Sequence, residues 1–291
     1  MQKDPPPRRI TAVLPAAGLG SRIAPLPGSK ELFPIGFREV GGNGELRSKV
    51  VCHFLLEALG VAGVKQAFVV LRAGKWDLPA YLGDGSDFGL DLAYLMMDAP
   101  YGAPFTTDQA YPFLGDSLVA FGFCDIIFFP KDAFQQALDC QRVSGADVVL
   151  GLFPADRPDH CDLVDCDLTD CDTAGTVTRV SVKPHLDRQR GSPTKRTDVE
   201  RTWGLAVWTP AFTEFLHRRV LELSAAAEQD AVRRAALEAG EVHMGDVLQA
   251  AIDSGLDVRG VQVSPEPFVD IGTPESLLHA VQRFSSAEET R

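Results

Sequence analysis

The sequence predicts an α/β sandwich built on a mostly parallel sheet. Short apolar runs that are typical of buried strands alternate along the chain with helical patterns, which is the order expected when crossover helices join parallel strands. The first apolar run, residues 10–14, leads directly into a glycine loop. Hydrophobic residues make up 45% of the 291 residues, which is enough to bury a sizeable core.

Each predicted strand is a short apolar run bounded by polar residues, glycine or proline. In chain order these strands are residues 10–14, 66–71, 90–96, 117–123, 148–153, 203–208, 258–263 and 268–272. A hairpin is also predicted, with an acidic first part at residues 160–172 and a return arm at residues 175–180.

Helices are predicted where apolar residues recur at helical spacing between capping and breaking residues. The first predicted helix begins after Ser48 as its N-cap and ends at Gly60. Three further helices are expected at residues 131–140, 211–239 and 244–254. A last helix begins with Thr273 as N-cap and Pro274 at its first helical position.

We expect a single domain over residues 10–284, because neither an internal repeat nor a linker interrupts this span. Disordered tails are expected at residues 1–9 and 285–291. Within the domain, residues 159–210 form a hairpin and loop region that includes a polar stretch with several Lys and Arg side chains.

The charge balance limits the partners that the chain can bind. The net charge is −12, from 28 Lys and Arg against 40 Asp and Glu, which argues against a general nucleic-acid binder. An acidic protein that handles phosphates must concentrate a few cations, or a metal ion, at its site. No stretch of the sequence approaches the ~18 apolar residues of a membrane span, and the first nine residues lack the apolar core of a secretory signal. We therefore expect a cytoplasmic protein without nucleic-acid or membrane partners.

The glycine loop, residues 18–20, fits neither of the two common nucleotide-binding fingerprints. The dinucleotide fingerprint requires Gly or Ala three positions after Gly20, where this chain has Ile23. A P-loop requires Gly-Lys-Ser/Thr, whereas residues 28–30 are Gly-Ser-Lys. Glycines still allow backbone N–H groups to approach a polyphosphate, and Arg22 and Lys30 can neutralise its charge.

The glycine loop and the segment after it resemble a known signature. Residues 14–22 (LPAAGLGSR) and 29–35 (SKELFPI) resemble the motif of the sugar-1-phosphate nucleotidyltransferases, the NDP-sugar pyrophosphorylases, and are most similar to the UTP–glucose-1-phosphate uridylyltransferase branch. The resemblance extends from about residue 10 to about residue 284, with further motifs in the family's order at residues 123–128, 177–184, 203–205 and 269–274. It implies a three-layer α/β/α sandwich of Rossmann-like type, with a mixed, mostly parallel sheet.

The resemblance also implies a reaction and a set of site residues. In the family, a nucleoside triphosphate and a sugar 1-phosphate give an NDP-sugar and pyrophosphate with the help of Mg²⁺. The implied catalytic residues are Arg22 and Lys30, and the implied Mg²⁺ ligands are Asp125 and Asp270. The implied nucleotide-binding residues are Ala17, Gly18, Leu19, Gly20, Ser21, Met97 and Gly102. The implied sugar-phosphate-binding residues are Asp162, Lys183 and Gly204, and residues 159–210 would form the acceptor side. Family members are often oligomeric, so a homo-oligomer is compatible with the resemblance.

Three positions depart from the family pattern. Met97 stands where many relatives have a base-recognising Gln, and a thioether cannot make the hydrogen bonds of an amide. Asp162 and Val182 replace a Gly and a Glu that contact the sugar. The branch resemblance favours UTP or dTTP as donor, while CTP and purine nucleotides stay open, and we expect an acceptor other than plain glucose 1-phosphate. A catalytically silent regulatory subunit that binds nucleotide sugars is the alternative function.

Overall fold

The computed structural model describes residues 8–40, 44–98, 101–168, 174–182, 200–229, 234–235 and 242–284. In this part of the chain the predicted α/β sandwich with a mixed, mostly parallel sheet is confirmed. Residues 1–7 and 285–291 of the predicted tails lie outside the described residues, as do Lys183 and most of the polar loop after it.

Most strands lie close to the apolar runs that predict them, but the strands at residues 34–40, 45–50 and 126–127 have no predicted counterpart. They are β1 (Ile10–Pro15), β2 (Pro34–Val40), β3 (Glu45–Val50), β4 (Gln66–Arg72), β5 (Asp91–Met97), β6 (Leu118–Gly122), β7 (Ile126–Ile127), β8 (Val148–Pro154), β9 (Leu163–Cys166), β10 (Ala174–Ser181), β11 (Arg201–Trp208), β12 (Val258–Gln262) and β13 (Val269–Asp270). The central sheet has the order β5-β4-β1-β6-β11-β8-β12-β10-β9. Only β10 and β11 run against the other strands of this sheet as described. The antiparallel pairing of β9 with β10 confirms the predicted hairpin.

Helices cover both faces of the central sheet. They are α1 (Val51–Val61), α2 (Asp77–Leu82), α3 (Ala103–Asp108), α4 (Tyr111–Leu114), α5 (Ala133–Ser144), α6 (Pro210–Gln229), α7 (Met244–Asp253) and α8 (Pro274–Phe284). Successive side chains of β1 point to opposite faces of the sheet. Leu14 packs with α1, α2 and α5, whereas Val13 packs with α3, α4, α6 and α7. A smaller apolar cluster lies under α8, around Phe54 and Phe284.

The first helix begins later than its predicted N-cap. Ser48 lies in β3, opposite Phe37 of β2, and the helix begins at Val51. The capping signal at Ser48 is overridden because β2 and β3 pair with each other, which the sequence pattern does not reveal. The Val50 N–H donates instead to Nδ1 of His53, at 3.4 Å.

The parallel strands end at one edge of the central sheet, and their loops meet there. β1, β6 and β8 run in the same direction, because β11 is antiparallel to both β6 and β8. The glycine loop follows β1, Asp125 follows β6, and residues 155–162 follow β8. The predicted strand at 268–272 is short and does not join the central sheet: β13 pairs with β7, and the Ile271 N–H donates to the Asp125 carbonyl at 2.9 Å. Ligands of open α/β sheets bind at such an edge. No helix in the described ranges is long and apolar enough to cross a membrane.

Candidate active site

A cleft of about 430 Å³ opens at the carboxyl edge of the parallel strands. Most of the site residues that the sequence predicts line it together: Ala17, Gly18, Leu19, Gly20, Ser21, Arg22, Lys30, Gly102, Asp125, Asp162 and Asp270. They come from segments spread over most of the chain, so the sheet topology is what brings them together. A cleft of this size, with convergent polar groups, has the dimensions of a small-molecule site.

The glycine loop forms a turn at the cleft mouth and is not followed by a helix. The N–H groups of Ile23 and Ala24 both donate to the Gly20 carbonyl, at 3.1 Å. The chain next forms a short 3₁₀ turn at Lys30–Leu32. This geometry explains why the helix-based fingerprints do not fit, and it leaves the loop backbone beside the cleft.

Lys30 and Asp125 form an ion pair in the cleft, although 95 positions separate them in the sequence. Burial alone would lower the pKa of Lys30, but the carboxylates of Asp125, Glu31 and Asp270 together hold it above its ordinary value. Asp125 therefore sets the position of Lys30. A cation that is fixed in this way suits an anionic ligand.

Asp125 is close enough to Asp270 to affect the ionisation of Asp270. Burial and then the Asp125 carboxylate raise the pKa of Asp270 to about 6. Three cations act in the opposite direction: Lys30, Arg22 and Arg157. No group of three or more ligating side chains that could hold a metal occurs in the described part of the chain. Two carboxylates that repel each other beside a phosphate-sized cleft fit Mg²⁺, which binds through one or two carboxylates and takes phosphate oxygens and water for the rest.

The side chain of Arg22 reaches the same centre from the glycine loop. A Cβ on Gly272 would lie 3.0 Å from Nη2 of Arg22 and 2.9 Å from Oδ2 of Asp270. The absence of a side chain at Gly272 therefore lets the guanidinium and the carboxylate approach the same backbone. Arg22 can present its forked donors to a phosphate at this point.

Asp162 also lines the cleft. Its Oδ2 accepts a hydrogen bond from the indole N–H of Trp203, at 3.4 Å. A Cβ on Gly245 of α7 would lie 2.6 Å from the same oxygen. The Asp162 carboxylate is thus held against α7 and β11, just before the β9–β10 hairpin begins.

Two of the described site residues that the sequence predicts, Met97 and Gly204, do not line the cleft. Met97 is 8% exposed and packs in the core, beside a separate cavity of about 390 Å³. Gly204 lies in β11 against the Phe268 ring, which itself lines the cleft. Lys183 falls outside the described residues. Met97 does not line the cleft because it lies at the end of β5, where its side chain packs into the core on the α3 and α6 face of the sheet.

The sequence analysis did not single out several residues that also line the cleft: Glu31, Arg157, His160, Ser276, His279 and Arg283. A positional signal existed for two of them, since Arg157 and His160 follow the carboxyl end of β8 as Asp125 follows that of β6. On α8, the spacing of the last three places them on one helical face. Glu31 is adjacent to Lys30 and forms an ion pair with Lys75 at 2.6 Å.

Gly102→Ala is expected to lower the free energy of unfolding by about 2–3 kcal/mol. Gly102 has φ +117°, and an added Cβ would lie 2.1 Å from the carbonyl oxygen of Val242. The matched control is Gly145→Ala, where φ is +69° but no described atom lies within 4 Å of the added Cβ. We expect about 1 kcal/mol there. Urea unfolding measures both, and equal losses in the two variants would contradict the close approach at Val242.

Several curated proteins are similar to this chain in sequence. The chain is 25% identical over 276 residues to the low-salt glycan biosynthesis nucleotidyltransferase Agl11 of Haloferax volcanii, covering 94% of this chain and 65% of the relative. It is 24% identical over 258 residues to a glucose-1-phosphate thymidylyltransferase of Streptomyces griseus, covering 88% of this chain and 61% of the relative. The chain therefore spans less than two thirds of the length of these curated relatives. No protein-family model matches the chain.

Solved structures share the fold over nearly the whole chain. UDP-glucose pyrophosphorylase complexed with UDP-glucose superposes with a TM-score of 0.70 at 15% identity, covering 97% of this chain and 100% of that one. The UTP-bound UGPase of Acinetobacter baumannii gives a TM-score of 0.69 at 15% identity, covering 95% and 93%. At such identities these structures show the fold alone. Together with the sequence relatives, they confirm the resemblance of this chain to the sugar-1-phosphate nucleotidyltransferase family.

Proposed function

We propose that the protein is a Mg²⁺-dependent nucleotidyltransferase that converts a nucleoside triphosphate and a sugar 1-phosphate into an NDP-sugar and pyrophosphate. The observation that carries the proposal is the meeting of Arg22, the Lys30–Asp125 ion pair and Asp270 beside the glycine loop in one cleft. Fixed cations and paired carboxylates at one point are what phosphoryl chemistry needs. The named relatives act on the same class of substrates.

In the proposed reaction, an oxygen of the sugar phosphate attacks the α-phosphorus of the triphosphate. The bond from the α-phosphorus to the bridging oxygen breaks, and its electron pair leaves with pyrophosphate. The second pKa of a phosphate monoester is near ~6, so the nucleophile is already ionised at neutral pH. No general base is required, and the rate depends on alignment and charge stabilisation.

The residues of this chain supply that alignment and charge. Asp125 and Asp270 would hold Mg²⁺, which when bound offsets the negative charge on the phosphate oxygens. Arg22 would bind the triphosphate through its forked donors, and Lys30 would place a compact charge beside the leaving pyrophosphate. Backbone N–H groups of the glycine loop would face the nucleotide. Gly102, which also lines the cleft, would contact the nucleotide.

The proposed donor is UTP or dTTP, and the proposed acceptor differs from plain glucose 1-phosphate. We propose UTP or dTTP as donor, because these fit the branch resemblance of residues 14–22 and the named relatives. Met97 cannot supply the hydrogen bonds of the usual Gln amide to a base, so CTP and purine nucleotides stay in the test. We propose an acceptor other than plain glucose 1-phosphate, because Asp162 places a carboxylate in the acceptor wall.

Pyrophosphate release tests the proposal. Purified protein with Mg²⁺ is crossed against ATP, GTP, CTP, UTP and dTTP and a panel of sugar 1-phosphates, and products are identified by mass spectrometry. We expect release with one preferred triphosphate, together with the matching NDP-sugar. Tight nucleotide binding without any product would favour the silent regulatory subunit and would overturn the proposed activity. The retention of both carboxylates and both cations in the cleft argues against that alternative.

A further inference from the structure

Arg157 lies in the cleft wall, on the loop between β8 and β9, and neither the family motifs nor the mechanism above assigns it a role. The backbone of this residue is held by a tight turn. The Arg157 carbonyl accepts hydrogen bonds from the His160 N–H, at 2.9 Å, and from the Cys161 thiol, at 3.4 Å. The turn fixes the point from which the side chain enters the cleft.

Arg157 shares the cleft with the other charged groups of the site. It lines the same cleft as Arg22 and the Lys30–Asp125 ion pair. Its charge also helps to lower the pKa of Glu275, in the first turn of α8, after the backbone N–H of that residue and the Thr273 side chain. Arg157 is therefore a cation of the cleft wall whose charge extends to the first turn of α8.

Within the described part of the chain, neither Arg157 nor Arg22 has a salt-bridge partner. An arginine at a protein surface is often paired, and two unpaired guanidinium groups in one cleft leave their donors available to a ligand. The two side chains come from different loops. Arg22 enters from the glycine loop on the donor side, and Arg157 enters from the loop that carries Asp162 on the acceptor side.

We propose that Arg157 binds the phosphate of the sugar 1-phosphate. This inference rests on the proposed function and adds to it the residue that fixes the nucleophile. A guanidinium can hold two oxygens of a phosphate with parallel hydrogen bonds, which leaves a third oxygen directed at the α-phosphorus. Arg22 thus binds the phosphates of the triphosphate, and Arg157 binds the phosphate of the sugar 1-phosphate.

Kinetics of Arg157→Ala and Arg157→Lys test this assignment, with the triphosphate and the sugar 1-phosphate that the wild-type protein uses best. We expect Arg157→Ala to raise the KM for the sugar 1-phosphate about 10- to 100-fold. The KM for the triphosphate should change less than about 3-fold. Arg157→Lys should lie between wild type and Arg157→Ala, because it keeps the charge and loses the fork. The matched control is Arg219→Ala on α6, an exposed arginine paired with Glu222 at 3.0 Å outside the cleft.

Calorimetry supplies a readout besides turnover. Each variant is first saturated with Mg²⁺ and the α,β-methylene analogue of the preferred triphosphate, and the sugar 1-phosphate is then titrated in. Weaker sugar-phosphate binding in Arg157→Ala, at an unchanged Tm and unchanged analogue affinity, supports the assignment. An equal loss of triphosphate affinity overturns it in favour of a donor-side role, and unchanged binding of both substrates overturns it outright. If the wild-type protein itself makes no product, the proposed function fails, whereas an active wild type with an unaffected Arg157→Ala removes only this inference.

Discussion

Asp125→Asn is expected to lower kcat/KM by about 10²–10³-fold. The substitution keeps the shape of the side chain but removes one of the two carboxylates proposed to hold Mg²⁺. It also removes the anionic partner that positions Lys30. Both losses weaken the charge stabilisation on which the proposed reaction depends, since no general base contributes to it.

Initial rates and Mn²⁺ binding, followed by electron paramagnetic resonance, measure the effect of Asp125→Asn. Mn²⁺ serves as the probe for the Mg²⁺ site, and we expect its affinity to fall together with turnover. Asp139→Asn on α5 is the matched control, because Asp139 is an exposed partner of Arg142 outside the cleft. If Asp125→Asn retains both turnover and Mn²⁺ affinity, the assignment of the metal ligands is incorrect.

Lys75→Met is expected to lower the free energy of unfolding by about 3–5 kcal/mol. The side chains of Lys75 and Glu31 are 7% and 3% exposed, so their ion pair is buried. Among the described residues, no donor reaches the second carboxylate oxygen of Glu31. Removing Lys75 would therefore leave a buried carboxylate without its ion-pair partner and without a hydrogen bond.

Urea unfolding of a double-mutant cycle measures this cost. The double variant Glu31→Gln/Lys75→Met should recover most of the stability, because it removes the buried charge together with its partner. Lys131→Met is the matched control: Lys131 is 39% exposed and pairs with Glu57 at 3.2 Å, so we expect a loss below about 1 kcal/mol. A Lys75→Met loss as small as that of the control would show that the buried pair contributes little.

Local sequence patterns predicted the strands and the place of the site well. The apolar run at residues 10–14 is a buried central strand, and the glycine loop after it lies at the carboxyl edge of the sheet, as expected. Lys30 and Asp125 were assigned to one site from separate motifs, and the structure brings them into contact. The strand and the place of the glycine loop follow from short-range patterning and from the rule that parallel strands end at one edge, whereas the assignment of Lys30 and Asp125 came from the family resemblance.

Other features depend on contacts between distant segments, which no local pattern encodes. Ser48 has the residue type of an N-cap, but pairing with Phe37 places it in a strand. Met97 follows the family spacing toward the base site, yet its side chain packs into the core. Arg157 lies in a loop whose sequence resembles any polar surface loop, and only the position of β8 in the sheet brings it to the cleft.

The fate of the donor phosphates tests the central claim most directly. The preferred triphosphate is labelled at the α-phosphate in one reaction and at the γ-phosphate in another, with Mg²⁺ and the best acceptor present in both. Attack at the α-phosphorus predicts that the α label appears in the NDP-sugar and the γ label in pyrophosphate. A γ label found on the sugar or in inorganic phosphate, with the α label left in a nucleoside diphosphate, would show transfer or hydrolysis at the γ-phosphorus and would contradict the account.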